Sequence, residues 1–216
     1  MQRYLELATK FFEIPIDLRS RGIIILGALL LIPALFFPLW NMTLTSNQFP
    51  EGLVLNIYAS KLEGGMTLNR DDLKEINSLN HYIGMRPLRE DDFTEFKWIP
   101  FVIGGVVLLA FRVVVLGKMS KLVDVFVLFT YFGAFSLWTF YHKLYLYGHD
   151  LDPTAAVRVP PFTPPMIGHN TMANFEVYSS PELGSYFMAA FPLLLLAAIW
   201  LSRRASRGKE PFVHRT

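Results

Sequence analysis

Two short stretches carry the side chains best suited to chemistry. His81-x-x-x-Met85 sets an imidazole four residues from a thioether, and Met166-x-x-His169-x-x-Met172 sets an imidazole between two thioethers. Imidazole and thioether together suit copper, and thioether selects the cuprous ion. The candidate metal ligands are therefore His81, Met85, Met166, His169 and Met172. Cysteine is absent, which removes disulfides, Cys-ligated iron–sulfur clusters and haem attachment through Cys-x-x-Cys-His. Composition weighs on the other side. Five of the 8 methionines and four of the 5 histidines lie in two polar stretches that hold nearly half the chain, where about four methionines and two or three histidines fall by position alone. Gly84 also ends the helix expected before it, so His81 and Met85 need not share a face. Methionine as adaptable apolar packing is the ordinary reading.

The elements that position these residues follow from the distribution of charge. The chain has 216 residues, 52% hydrophobic and 18% charged, where a soluble domain carries about a quarter charged. The apolar residues gather into four runs, 22–40, 98–117, 122–141 and 186–201, each near the roughly 20 residues needed to cross a bilayer. Arg112 and Asp124 sit near the ends of their runs, where long side chains reach the interface. Arg3, Lys10, Arg19 and Arg21 precede the first run, Lys118 and Lys121 separate the second and third, and Arg203, Arg204, Arg207, Lys209 and Arg215 follow the fourth. With four spans, all of these fall on one side, which is the cytoplasmic side by the lysine and arginine rule. Trp40, Trp98 and Trp138 are then expected at the outer interface and Trp200 at the inner one. Residues 1–21 read as a cytoplasmic segment able to lie as an interfacial helix ended by Pro15, and 202–216 as a basic cytoplasmic tail.

The polar chain that remains forms two long outer loops, 41–97 and 142–185. Connections of that length are usually functional or disordered, and their content of aromatic and aliphatic residues predicts order. Residues 53–59 read as a strand, and Gly64-Gly65 as a turn. A helix through Asp72, Leu73, Ile76 and Asn80, capped by Asn69 or Asp71, ends at Gly84. Six prolines predict an extended path for the second loop, with a short strand over 174–178. The expected fold class is thus an all-α integral membrane protein. It has four transmembrane helices, both termini in the cytoplasm and two long ordered extracytoplasmic loops with minor β.

Other chemistries find little in the chain. No histidine lies inside a span, so a b-type haem lacks its paired ligands, and the middle of each span is free of the charges that mark ion paths. A P-loop, a His-Glu-x-x-His and a Gly-x-Ser-x-Gly elbow are absent. The chain reads as non-catalytic, with no cofactor of its own, copper as the alternative, membrane lipid as its surroundings and no nucleic acid as partner. A quinol-interacting electron-transfer subunit is a further alternative.

Asn80-His81-Tyr82-Ile83-Gly84-Met85, the run Pro160-Pro161-Phe162-Thr163-Pro164-Pro165-Met166-Ile167-Gly168 and the following Asn174-Phe175 carry a resemblance. With the four-span layout they resemble the NosB family, small membrane proteins encoded beside the nitrous-oxide reductase in Sec-exported (clade II) denitrification clusters. The resemblance implies a bacterial inner-membrane protein whose outer loops face the periplasm. It implies a membrane anchor or assembly partner of a periplasmic copper oxidoreductase, the nitrous-oxide reductase, or a protein that supplies cuprous ion to it. The docking surface expected on the loops comprises His81, Tyr82, Tyr145, Tyr147, Phe162 and Phe175.

Overall fold

A computed structural model describes residues 2–67, 70–172 and 175–207. The protein is mostly helical, with four helices long and apolar enough to cross a membrane and a small antiparallel sheet. It divides into two compact units. The first takes the chain through Ile32, Val102–Gly133 and the chain from Phe187; the second takes Pro33–Phe101 and Ala134–Tyr186.

The first unit is helical. It holds α1 (Gln2–Phe12) and α2 (Leu18–Leu31), most of α4 (Glu95–Leu116), the first half of α5 (Met119–His149) and most of α6 (Leu183–Arg207). Ile103, Val106, Ala110 and Val113 of α4 recur at helical spacing and are buried, as one interior stripe requires. On α6 the buried stripe is Phe191, Leu195 and Ala198. Phe191 meets Phe129 edge to face at 4.9 Å. The outward residues are also apolar: Leu108, Val115 and Leu193 are each exposed by 65% or more. A protein in water does not tile its surface this way, whereas lipid requires it. One end of the unit is tied by polar contacts. The Ile16 N–H donates to the Gly117 carbonyl at 2.8 Å and the Met119 N–H to the Ile14 carbonyl at 3.0 Å. Asp17 caps α2, taking the Arg19 N–H at 3.2 Å, and also accepts from the buried Ser202 hydroxyl at 3.2 Å. These bonds gather the start of α2, the α4–α5 turn and the final turns of α6, and with them the basic flanks of the spans.

The second unit is built on β1 (Trp40–Thr45), β2 (Leu53–Ile57), β3 (Leu62–Gly64), β6 (Gly168–Met172) and β7 (Phe175–Pro181), in the order β3-β2-β1-β7-β6. All pairings are antiparallel. Alternation gives the sheet one apolar face. Trp40, Met42, Leu53, Leu55, Leu62 and Val177 are buried, while Asn41 and Asn56, directly opposite, hydrogen-bond at 2.9 Å on the other face. Helix α3 (Asp72–Tyr82) packs on the apolar face through Ile76. A two-stranded ribbon, β4 (Met66–Thr67) with β5 (Arg70–Asp71), precedes it.

Several boundaries differ from the hydropathy reading. Helix α2 starts at Leu18 and stops at Leu31, with a single 3-10 turn at Pro33–Leu35, because Pro33 lacks the N–H that would continue it. The end of the 22–40 run therefore leads into the sheet. Trp40, expected at the membrane interface, is instead the first residue of β1 and buried. Helix α5 runs on to His149, eight residues beyond the expected end of the third span. Pro192 lies inside a continuous α6. The small sheet contains β1, β3 and β6 besides the two strands expected over 53–59 and 174–178. Asn69, Asn174, Lys209 and Arg215 lie outside the described residues.

Asp72 is the most deeply buried acid in the second unit. Its side chain accepts the Val54 N–H at 2.9 Å and the Arg70 Nε–H at 2.7 Å, and it is 2% exposed. Removing the guanidinium leaves a buried charge uncompensated, at a cost of about 3 kcal/mol. Arg70→Met is therefore expected to lower the thermal midpoint of the solubilised protein clearly. Arg70→Met combined with Asp72→Leu should recover part of the loss, measured by scanning fluorimetry.

Candidate functional site

The stretch that joins the two long loops is the end of α3. Asp71 opens the helix, its carboxylate accepting the Leu73 and Lys74 N–H groups. The close is a Schellman motif around Gly84, whose φ is +77°. The Met85 N–H donates to the Asn80 carbonyl at 2.8 Å and the Gly84 N–H to the His81 carbonyl at 3.2 Å. The spacing His81-x-x-x-Met85 is thus the spacing of a helix stop.

The second loop docks onto this stop. The Asp152 N–H donates to the Gly84 carbonyl and the Val157 N–H to the Tyr82 carbonyl, each at 2.9 Å. A Cβ at position 84 would lie 2.7 Å from the Asp152 carbonyl oxygen, so glycine serves both the left-handed backbone and the close approach. Arg86 and Asp150 pair on the surface alongside. Asp152 closes a small turn of its own, accepting the Thr154 N–H at 2.8 Å and its hydroxyl at 2.6 Å. These bonds, with a smaller contribution from the nearby His81, hold the Asp152 carboxyl below the usual carboxylate range.

Between the apolar face of the sheet, α3 and the last turns of α5 lies a chamber of about 950 Å³. The sheet contributes Met42, Leu44, Leu55 and Val177, and α3 contributes Ile76, Leu79 and Asn80. Helix α5 adds Phe140, Leu144 and Tyr147, spaced four and three apart on one face. Phe93 stacks on Tyr147 at 6.0 Å, and Lys143 lies over its ring at 5.3 Å while donating to the Asp92 carbonyl at 2.6 Å. Tyr82, Met85, Val157, Phe162 and Phe175 complete the side nearest the second loop. The polar lining includes Ser46, Asn47 and Gln48, the last two exposed, and Asn80. Asn80 is buried, and its Nδ2 has no hydrogen-bond partner, an arrangement that costs about 1–3 kcal/mol when nothing answers it.

The expected docking residues divide accordingly. Tyr82, Tyr147, Phe162 and Phe175 line the chamber. His81, Tyr82 and Tyr145 are exposed, Tyr145 stacked on His149 at 3.8 Å. The expected metal ligands are dispersed. Met85 lines the chamber, and Met166 packs on the buried cluster while its carbonyl accepts from the Trp40 indole and the Ser179 hydroxyl, each at 2.9 Å. His169 is exposed and lies opposite Tyr178, on the face of the sheet away from α3. The sheet therefore stands between His169 and His81. Met172 pairs with Phe175 at the hairpin end. Among the described residues no group of three or more His, Asp or Glu side chains is gathered as for a metal ion. Comparison with protein-family models, with characterised proteins and with solved structures returns no match.

Sequence reasoning did not find the chamber because its walls come from segments a hundred residues apart. Two signals were available: the Phe140, Leu144, Tyr147 stripe continuing past the expected span, and an asparagine at a core position of α3.

Two outcomes follow. Residues on opposite faces of a sheet with no shared partner act independently. In a cuprous titration, His81→Ala and His169→Ala are expected to have effects that add to within about 0.5 kcal/mol; strong coupling would mean that one ion takes both. For Asp152 the folded pKa is depressed, so its contribution is complete above the ordinary aspartate value of about 3.9 and is lost as pH falls through the lower folded value. Amide exchange at Asp152 and Thr154 should accelerate in that acid range, and Asp152→Ala should abolish the acid dependence.

Proposed function

We propose that the chain is a non-catalytic membrane subunit whose second unit is a docking platform for a periplasmic copper oxidoreductase. On the resemblance of Asn80–Met85 and the Pro160–Gly168 run, that partner is a nitrous-oxide reductase. The observation that carries the reading is the folding of both long loops into one sheet-and-helix unit. A connection between spans needs no such order, whereas a platform does. The basic flanks tied together at one end of the helical unit support a cytoplasmic placement of that end by the lysine and arginine rule. The loops then face the periplasm of a bacterial inner membrane. His81, Tyr82 and Tyr145 are the exposed residues of the expected docking set.

Mild solubilisation of native membranes, followed by sizing and identification of the chains that travel together, tests the proposal. A stable complex containing the copper enzyme is expected. Replacing both His81 and Tyr145 by alanine should reduce its recovery at least about tenfold if they are anchors. A chain that migrates without any copper enzyme would sink the proposal.

A further inference from the structure

We propose that the chamber of the second unit binds a membrane-derived lipid, its apolar tail filling the space and its neutral carbonyl accepting a hydrogen bond from Asn80. The size is right for a ligand, since a volume of about 950 Å³ stands at the upper end of the roughly 300–1,000 Å³ typical of small-molecule sites. The wall chemistry selects the class. Among the described residues the lining contains no carboxylate, and its one cation, Lys143, is already engaged by the Asp92 carbonyl and the Phe93 ring. An apolar, uncharged occupant therefore fits, and an ionic one leaves a charge without a counterpart.

Asn80 supplies the polar determinant. Its side chain is on the chamber wall, it is 6% exposed, and its Nδ2 lacks a partner. Its main-chain carbonyl is held by the Met85 N–H, so the residue is fixed while its amide is idle. Rotation about Cβ–Cγ presents that amide to an acceptor oxygen in the chamber. Water meets it only in part, because the other polar lining is confined to Ser46, Asn47, Gln48, Tyr82, Lys143 and Tyr147 and the rest of the wall is apolar. A carbonyl on an apolar chain supplies the acceptor and fills the rest of the space. Phospholipid acyl esters and isoprenoid quinones share this chemistry. Phe140, Leu144 and Tyr147 of the wall belong to α5, a helix apolar enough to cross a membrane.

The test uses the full chain, purified in detergent, stripped of lipid, and titrated with the methyl ester of a fluorescent polyene fatty acid. Wild type is expected to show one saturable site per chain. Asn80→Leu should weaken it at least tenfold while leaving the thermal midpoint unchanged or higher, since the unanswered amide is gone. A merely structural Asn80 would instead lower the midpoint. Val157→Trp, on the exposed loop at the chamber's side, should block the site while keeping its backbone bond to Tyr82, and it stays informative if Asn80→Leu does not fold. Displacement by a short-chain diacyl phospholipid assigns the acyl ester, and displacement by a short-chain quinone assigns the quinone. Absence of saturable binding by wild type overturns the proposal, as does unchanged affinity in both folded variants.

Discussion

Everything in the second unit depends on the backbone pairing of β1. This strand has hydrogen-bonded neighbours on both edges, β2 from the first long loop and β7 from the second. Its N–H and C=O groups are thereby satisfied on both sides, as a buried strand must have them. The sheet thus joins the two long loops into one element. The Trp40 indole adds a side-chain lock at the first pair of the ladder, donating to the Met166 carbonyl and the Ser179 hydroxyl. A one-residue slip of β7 would turn Val177 and Ser179 outward and break that lock.

Once the register is set, the two faces of the sheet acquire different chemistry. The inner face is covered by α3 and the last turns of α5, and the turn at Gly84 lets the proline-containing segment lie against the helix end. Prolines suit that segment because it has few backbone donors to satisfy. The two it commits at this point, from Asp152 and Val157, go to the carbonyls of Gly84 and Tyr82. Gly148 serves the same packing on the α5 side, where a Cβ would collide with the Phe162 backbone and where the Phe162 N–H donates to the Gly148 carbonyl at 3.0 Å.

Much of this was legible in the residues. The four long helices, the strand at 53–57, the second-loop strand, and α3 with its Asp71 cap and Gly84 stop all follow from hydropathy, alternation and capping. Hydropathy fails at Trp40 because an apolar strand entering a core and the end of an apolar helix have the same composition. The proline at 33 was the better signal. The metal set fails to converge for a different reason. Spacing along the chain says nothing about which face of a sheet a residue takes when the strand itself has not been recognised. His169 was read as a neighbour of Met166, yet the carbonyl of Met166 is locked to Trp40 and Ser179 while His169 stands with Tyr178 on the opposite face. The same geometry sorts the expected docking residues: His81, Tyr82 and Tyr145 are exposed, while Tyr147, Phe162 and Phe175 are half-buried along the chamber.

The chamber sets a constraint of its own. The chamber is partly open to solvent, its lining including the exposed Tyr82 and Val157. Without an occupant, water stands against its apolar walls, and the hydrophobic stabilisation those walls could give is only partly gained. Collapse of the walls is opposed by the register of β1 on one side and by the turns of α5 on the other. An apolar occupant removes the walls from water without moving either of them.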